Sequence, residues 1–291
     1  MSPAELLKKV RKVEIRTKGL AQHNFAGEYH SAFKGRGMTV AGVRAYQYGD
    51  DVRFIDWNVT ARYNEPYIKQ FEEERELTVM LLIDVSASTL FGTQQRSKQE
   101  LITELSAVLA FSALGNNDKV GVIFFTDKIE KFIPPRKGRN HILTIIRELL
   151  AFEPQSKTTN LEQALNFVSQ TIKRRCITFI ISDFSDISNF ETGLRTAARQ
   201  HDCIGVEIYD AFDRELPKAG LLLIQDAETG NEYWINTEDE LLRKNYWENQ
   251  LEKQNATKQT FSKNGADLLQ VSTAQDYFPD LHRFLRSRAR R

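Results

Sequence analysis

Five oxygen-bearing side chains carry the chemistry in this sequence. LTVMLLIDVSAST (77–89) is an apolar run that stops at Asp84 and continues with hydroxyls at Ser86 and Ser88, at every second position. Two further candidates lie far away: Thr159 in the loop KTTN, ahead of a helical pattern, and Asp183 at the end of the apolar run CITFIIS. Two carboxylates and three hydroxyls, with no His or Cys, form an all-oxygen set. Such a set suits a hard cation, above all Mg²⁺ and otherwise Mn²⁺ or Ca²⁺, because these ions prefer oxygen donors. Each piece also has a plainer reading. Thr159-Asn160-Leu161-Glu162 fits a capping box, as does Ser188–Glu191, and Asp183 could be a turn or N-cap residue.

The elements that must position these oxygens follow from the hydropathy pattern. Strand runs at Leu77–Ile83, KVGVIFF (119–125), IEKFIPP, CITFIISDF (176–184) and CIGVEIYD (203–210) alternate with helical periods at about 97–114, 141–152, 161–172 and 189–200. Strands that are apolar throughout belong to a sheet covered on both faces. Interleaved helices make it an α/β, doubly wound, mostly parallel sheet. Leu221–Ile224 and Glu232–Ile235 read as a hairpin, followed by a charged helix at about 238–254, a last strand LLQVST and a closing helix from about Ala274. Ligands in such a sheet bind at the carboxyl ends of the strands, where Asp84 and Asp183 fall.

The order DVSAS, then TTN, then SDF resembles a von Willebrand factor A-type domain, whose metal-ion-dependent adhesion site uses a DxSxS motif with a distant Thr and Asp. The resemblance implies Asp84, Ser86, Ser88, Thr159 and Asp183 as the ion's residues, and a protein partner that supplies an Asp or Glu to it. Ser88-Thr89 departs from the Ser-Met common in that family, at a position that is not a ligand. Upstream, GRGMTVAGVRAYQYGDDVRFIDWNVTAR (35–62) resembles the signature block of the bacterial domain of unknown function 58 family, through Arg44, Tyr46, Gly49, Asp50, Asp51, Arg53, Ile55, Asp56 and Trp57. That resemblance spans roughly residues 5 to 285. It implies a protein commonly encoded beside a MoxR-type AAA+ ATPase and membrane-bound A-domain proteins.

The expected organisation is an irregular N-terminal segment (1–75) packed on a von Willebrand factor A-like, Rossmann-like domain (76–273), closed by a C-terminal helix and basic tail (274–291). The N-terminal segment carries a short helix at about 3–16 and lacks a sustained apolar period. Its signature block admits two readings. One is an ion-paired clamp with buried aromatics; the other is a docking surface for the ATPase, with Arg44, Arg53 and Trp57 as anchors. Gly35 and Gly37 lack the lysine and context of a P-loop. The arginine-rich tail RFLRSRARR reads as a frayed, solvated helix end, with contact to acidic lipid, nucleic acid or an acidic partner as the alternative.

Composition narrows the classes further. Forty basic and thirty-nine acidic residues nearly cancel, which argues against a nucleic-acid partner. Two cysteines, Cys176 and Cys203, sit in apolar runs and read as buried thiols. No apolar stretch reaches the ~20 residues of a membrane span, and the N-terminus lacks a signal-peptide core, so a cytoplasmic placement is expected. The function these features favour is a non-enzymatic, divalent-metal-dependent protein-binding module. Two alternatives stay open. One is a metal-dependent phosphatase or phosphotransferase using Asp84 as nucleophile, although Ser86 stands where such enzymes carry a second Asp. The other is a metal-free scaffold.

Overall fold

The computed structural model describes residues 38–73, 77–93, 96–185, 190–226 and 230–290, with residues 10, 11, 13, 14, 29 and 32 before them. Six strands form the central sheet: β3 (Thr78–Asp84), β4 (Lys119–Phe125), β5 (Ile129–Arg136), β6 (Ile177–Ser182), β7 (Asp202–Tyr209) and β10 (Asp267–Ser272). Their order is β10-β7-β6-β3-β4-β5, parallel throughout except for β5, which returns antiparallel beside β4. Helices α2 (Lys98–Gly115), α3 (Arg139–Ala151) and α8 (Phe278–Ala289) cover one face. Helices α4 (Leu161–Thr171), α5 (Glu191–Gln200) and the last turns of α7 (Glu240–Lys263) cover the other, and the single-turn α6 (Ala211–Arg214) follows β7.

Two-sided cover explains the unbroken apolar runs. Val79, Leu81 and Ile83 of β3 join the core under α2, whereas Met80 and Leu82 join the core under α4 and α5. Helix α2 begins with a full capping box between Ser97 and Glu100. The stripe Leu101, Leu105, Val108 and Leu109 is buried as its spacing predicts, but burial extends well beyond it. Helix α3 and the described residues Val10, Val13 and Tyr29 belong to the same cluster. Those residues, with the Glu14–Arg139 ion pair, show part of the N-terminal segment packed on the α/β unit, as expected. The helix expected at 3–16 otherwise lies outside the described residues, as do Gly35, Gly37 and Ser188.

The signature block departs from expectation in two ways. Residues 38–73 are regular: β1 (Met38–Ala45) pairs antiparallel with β2 (Tyr67–Glu73), and α1 (Trp57–Tyr63) lies between them. A register shift between Val40 and Gly42 breaks the strand's alternation, which hides it in the sequence. The ion-paired clamp is present, with Arg44 bidentate to Asp50 at 2.7 Å and Arg53 paired to Asp51 at 2.7 Å. Asp56 caps α1 through the amides of Asn58 and Val59. The aromatics do not bury, however. Phe54, Trp57 and Tyr63 are exposed, Trp57 by 69%.

Two C-terminal details also differ. Helix α7 continues to Lys263 rather than ending near 254, and stops at Asn264 and Gly265, whose φ of 70° suits glycine. The basic tail is not simply solvated: Arg288 bridges Asp202 and Asp267 at the amino ends of β7 and β10. Both cysteines are buried, free thiols. Among the described residues, no helix is long and apolar enough to cross a membrane.

Candidate metal centre

Strands β3 and β6 are adjacent, with Ile83 paired to Ile181, so Asp84 and Ser182 end side by side. The chain leaves β3 toward β4 and leaves β6 toward β7, in opposite directions across the sheet. The crevice between them is therefore the topological switch point, where an α/β sheet offers its binding site. Asp84 is buried in that crevice. Its Oδ1 accepts the Ser86 amide at 2.9 Å, and its Oδ2 accepts the Ser182 hydroxyl at 2.6 Å.

Beyond Asp84 the chain makes a short 3-10 turn (Ala87–Leu90) that turns two hydroxyls toward each other. Ser86 Oγ and Ser88 Oγ are 3.1 Å apart. Adjacent ligands of an octahedral Mg²⁺ with bonds of ~2.1 Å lie ~3.0 Å apart, so this spacing fits two neighbouring corners of such a shell. Ala87 N donates to Lys157 O, and Asn160 N donates to Thr126 O, which ties the loop carrying Thr159 across the ends of β3 and β4. Glu130 secures the same loop by accepting the amides of Gln155 and Ser156.

Thr159 does not cap the helix that follows it. The N-cap of α4 is Asn160, whose side chain accepts from Gln163 N. Thr159 Oγ1 is buried and has no hydrogen-bond partner. A capping role for Thr159 is thereby overturned, since the neighbouring asparagine took it. A buried hydroxyl left unpaired costs about 1–3 kcal/mol, which calls for a reason.

Asp183 follows β6 and is also buried, but its partner is a residue that sequence reasoning missed. Lys98 Nζ lies 3.0 Å from Asp183 Oδ2 and 2.7 Å from Asp213 Oδ2. Burial alone disfavours the Lys98 ammonium, yet the two carboxylates outweigh it and raise its pKa above the usual lysine value. Burial likewise works against the Asp183 charge, and Lys98 reverses the balance, holding that carboxyl below the ordinary range. Asp84 has no such cation. Burial, reinforced by the Asp183 charge, pushes its pKa up to about 6. One carboxyl of the pair thus resists ionising, and the geometry identifies it as Asp84. A sequence signal for Lys98 existed: it is the first residue of α2, the end of a helix that disfavours a cation.

Asp183 is held by strained backbone. Phe184 adopts φ 49°, a left-handed conformation rare for a bulky residue. Its ring offsets that cost by burial, packing edge-on against Phe261 at 5.4 Å and near Phe190. Phe261 in turn reaches the sheet because Gly205 of β7 has no side chain; a Cβ there would meet the ring at 2.6 Å.

Asp84, Ser86, Ser88 and Asp183 thus lie about the ends of β3 and β6, with Ser182 and Lys98 beside the two carboxylates, and the loop that carries Thr159 is tied to the Ser86–Ser88 turn through Ala87 and Lys157. Among the described residues no group of three or more His, Cys, Asp or Glu side chains stands ready to hold a metal. Any ion here relies on hydroxyls for most of its protein donors. Arg44, Arg53 and Trp57 lie in the signature unit rather than among these oxygens.

Known proteins place the chain. Uncharacterized protein Rv1480 of Mycobacterium tuberculosis is 32% identical over 285 residues, covering 97% of this chain and 89% of that protein. Uncharacterized protein YeaD of Bacillus subtilis is 29% identical over 109 residues, which is 38% of this chain and 25% of that protein. Among solved structures, BatB from Bacteroides thetaiotaomicron has a TM-score of 0.49 at 16% identity, covering 74% of this chain and all of that one. The SpRpn10 VWA domain has a TM-score of 0.40 at 12% identity, covering 70% of this chain and 93% of that one. The fold is von Willebrand factor A-like by its own strand order and switch-point motif. The family model described as "Protein of unknown function DUF58" matches residues 42–256, and the chain belongs to that family.

Proposed function

We propose that this chain is a non-enzymatic protein-binding module that grips a partner's Asp or Glu through a divalent cation. Ser86, Ser88 and Thr159 would hold the ion, with Asp84 and Asp183 supplying charge directly or through water. Mg²⁺ is the first choice, and Mn²⁺ or Ca²⁺ could replace it. When bound, the ion supplies a Lewis-acidic position that a carboxylate from outside can fill. The chain's own residues do the rest: Ser182 and the Ser86 amide orient Asp84, and Lys98 orients Asp183.

The observation that carries this reading is the buried, unpartnered hydroxyl of Thr159 on a loop tied to the Ser86–Ser88 turn. The resemblance to the family adds a MoxR-type AAA+ ATPase as working partner, together with membrane-bound A-domain proteins, in a cytoplasmic setting. Exposed Trp57, in the same signature unit as the ion-paired Arg44 and Arg53, is the surface we assign to the ATPase.

One observation favours a second reading, a metal-free scaffold. Lys98 already neutralises Asp183, so half of the anionic charge at the rim is paired without an ion. Affinity capture of partners by wild type and by Asp84→Ala, in Mg²⁺ and in EDTA, separates the two. The module predicts capture by wild type in Mg²⁺ alone; equal capture in all four conditions sinks it.

A further inference from the structure

Ser88 and Asp183, at one side of the oxygen rim, border a cavity of about 890 Å³. Ser88, Lys98, Asp183 and Ser185 line its inner end. Much of the remaining wall comes from the hairpin of β8 (Leu221–Gln225) and β9 (Glu232–Asn236) and from α7, along Leu241 to Thr257. Leu222, Ile224 and Ile235 face it from the hairpin, and Leu241, Leu242 and Tyr246 from α7. Tyr246 fixes that helix by donating its hydroxyl to Phe212 O at 3.1 Å. Polar rim and apolar walls are thus continuous parts of one concave surface, which is within the size range of ligand pockets.

A second feature of the cavity asks for a ligand acceptor. Arg214 Nη2 is buried without a hydrogen bond, and its nearest carboxylate oxygen, Glu207 Oε1, is 3.7 Å away. The guanidinium lies over the Tyr209 ring and is ion-paired with Glu207, which fixes its plane while Nη2 makes no hydrogen bond. An acceptor entering the cavity would satisfy that donor.

We infer that this cavity is a specificity pocket for an extended segment of a protein partner, in which an Asp or Glu is followed closely by a large apolar side chain. The inference rests on the proposed ion-dependent grip and adds the segment's second anchor. The acid would meet the ion beside Ser88. The apolar side chain would pack between Leu222, Ile224 and Leu242, and a backbone carbonyl would accept from Arg214. A protein partner, rather than a small molecule, fits because apolar surface continues outside the cavity. Leu223 and Trp234 on the hairpin and Trp247 on α7 are exposed beyond it, and a bound protein could cover them with the same contact. The hairpin is a two-stranded ribbon that carries apolar residues on both faces, as a surface covered on both sides would require.

Peptide display on the intact protein in Mg²⁺, followed by fluorescence anisotropy of the recovered peptides, tests this. The expected result is enrichment of Asp or Glu with Leu, Ile or Phe one to three residues later. Either EDTA or Leu222→Asp should then weaken binding roughly tenfold or more, and Ile224→Asp should act likewise. These hairpin positions lie outside the central core, and unchanged melting of both variants verifies folding. Acidic peptides without an apolar preference, or affinities unmoved by both hairpin variants, would overturn the pocket and leave the ion-dependent grip standing. Apolar peptides bound equally well in EDTA and by Asp84→Ala would overturn the grip as well. Recovery of no peptide above background would also overturn the pocket.

Discussion

The ammonium of Lys98 sits 3.0 Å from the carboxylate of Asp183, and both side chains are almost completely excluded from solvent. A buried ion pair broken from one side leaves an uncompensated charge, at a cost of about 3–5 kcal/mol. Lys98→Met should destabilise the metal-free protein by an amount of that order. It should also enlarge the stabilisation that Mg²⁺ confers, because Asp183 then lacks its built-in cation. Thermal melts of both proteins, in EDTA and in Mg²⁺, read the two effects together. A Lys98→Met protein that melts like wild type in EDTA contradicts the pairing described.

Thr159 gives the opposite kind of test. Its hydroxyl is buried and unpaired, so Thr159→Val removes an unsatisfied group of nearly the same shape. The variant should be as stable as wild type or more so in EDTA, by up to about 1–3 kcal/mol. It should nonetheless lose Mg²⁺-induced stabilisation. A substitution that instead destabilises the metal-free protein would mean that the hydroxyl has a structural partner.

Asp84 sets a pH dependence whose sign can be worked out. Its folded pKa is raised to about 6 from an ordinary value of 3.8, so the native state holds this proton more tightly than the unfolded chain. Between about pH 4 and 6 the native state binds more protons, and stability therefore falls as pH rises through that window. Asp183 is shifted downward, so its contribution disappears only at still lower pH. In EDTA, wild type should lose stability across the window relative to Asp84→Asn. Mg²⁺ must displace the proton, so its stabilising effect should be small near pH 4 and full above 6. Parallel stability profiles for the two proteins would refute the shift.

Gly205 links the sheet to the site through Phe261 and Phe184. Gly205→Ala forces the Phe261 ring to move, at a cost of about 1–3 kcal/mol. Because Phe184 fixes Asp183, Mg²⁺ affinity should fall although no candidate ligand has changed. Titration calorimetry beside melting curves checks this; unchanged affinity with lowered stability would uncouple the aromatic stack from the site.

Trp57 is exposed by 69%, and the Arg44–Asp50 pair is partly exposed, so solvent screens it. Trp57→Ser should therefore leave the melting temperature within a degree or so while abolishing capture of the proposed AAA+ ATPase partner. A large loss of stability would instead mark Trp57 as structural.

Much of this arrangement was legible in the sequence, for identifiable reasons. Unbroken apolar strands fixed the sheet, and strands ending in Asp84 and Asp183 located the rim. Thr159 was ambiguous because Thr159 and Asn160 are both good N-caps, and only tertiary burial decides between them. Lys98 pairs with residues 85 and 115 positions away, beyond the reach of local patterning. The ladder at 38–73 was hidden by the shift at Gly42, which removes the period-two signal. The end of α7 was obscured because only Thr257 and Phe261 of that helix are buried, leaving almost no apolar stripe to follow.

The central claim is that these oxygens hold a divalent ion, and Mn²⁺ binding followed by electron paramagnetic resonance tests it most directly. Wild type should bind one ion per chain, displaceable by Mg²⁺. Asp84→Ala should abolish that binding, and Thr159→Val should weaken it roughly tenfold or more. A wild-type protein that takes up no Mn²⁺ while remaining folded would contradict the account.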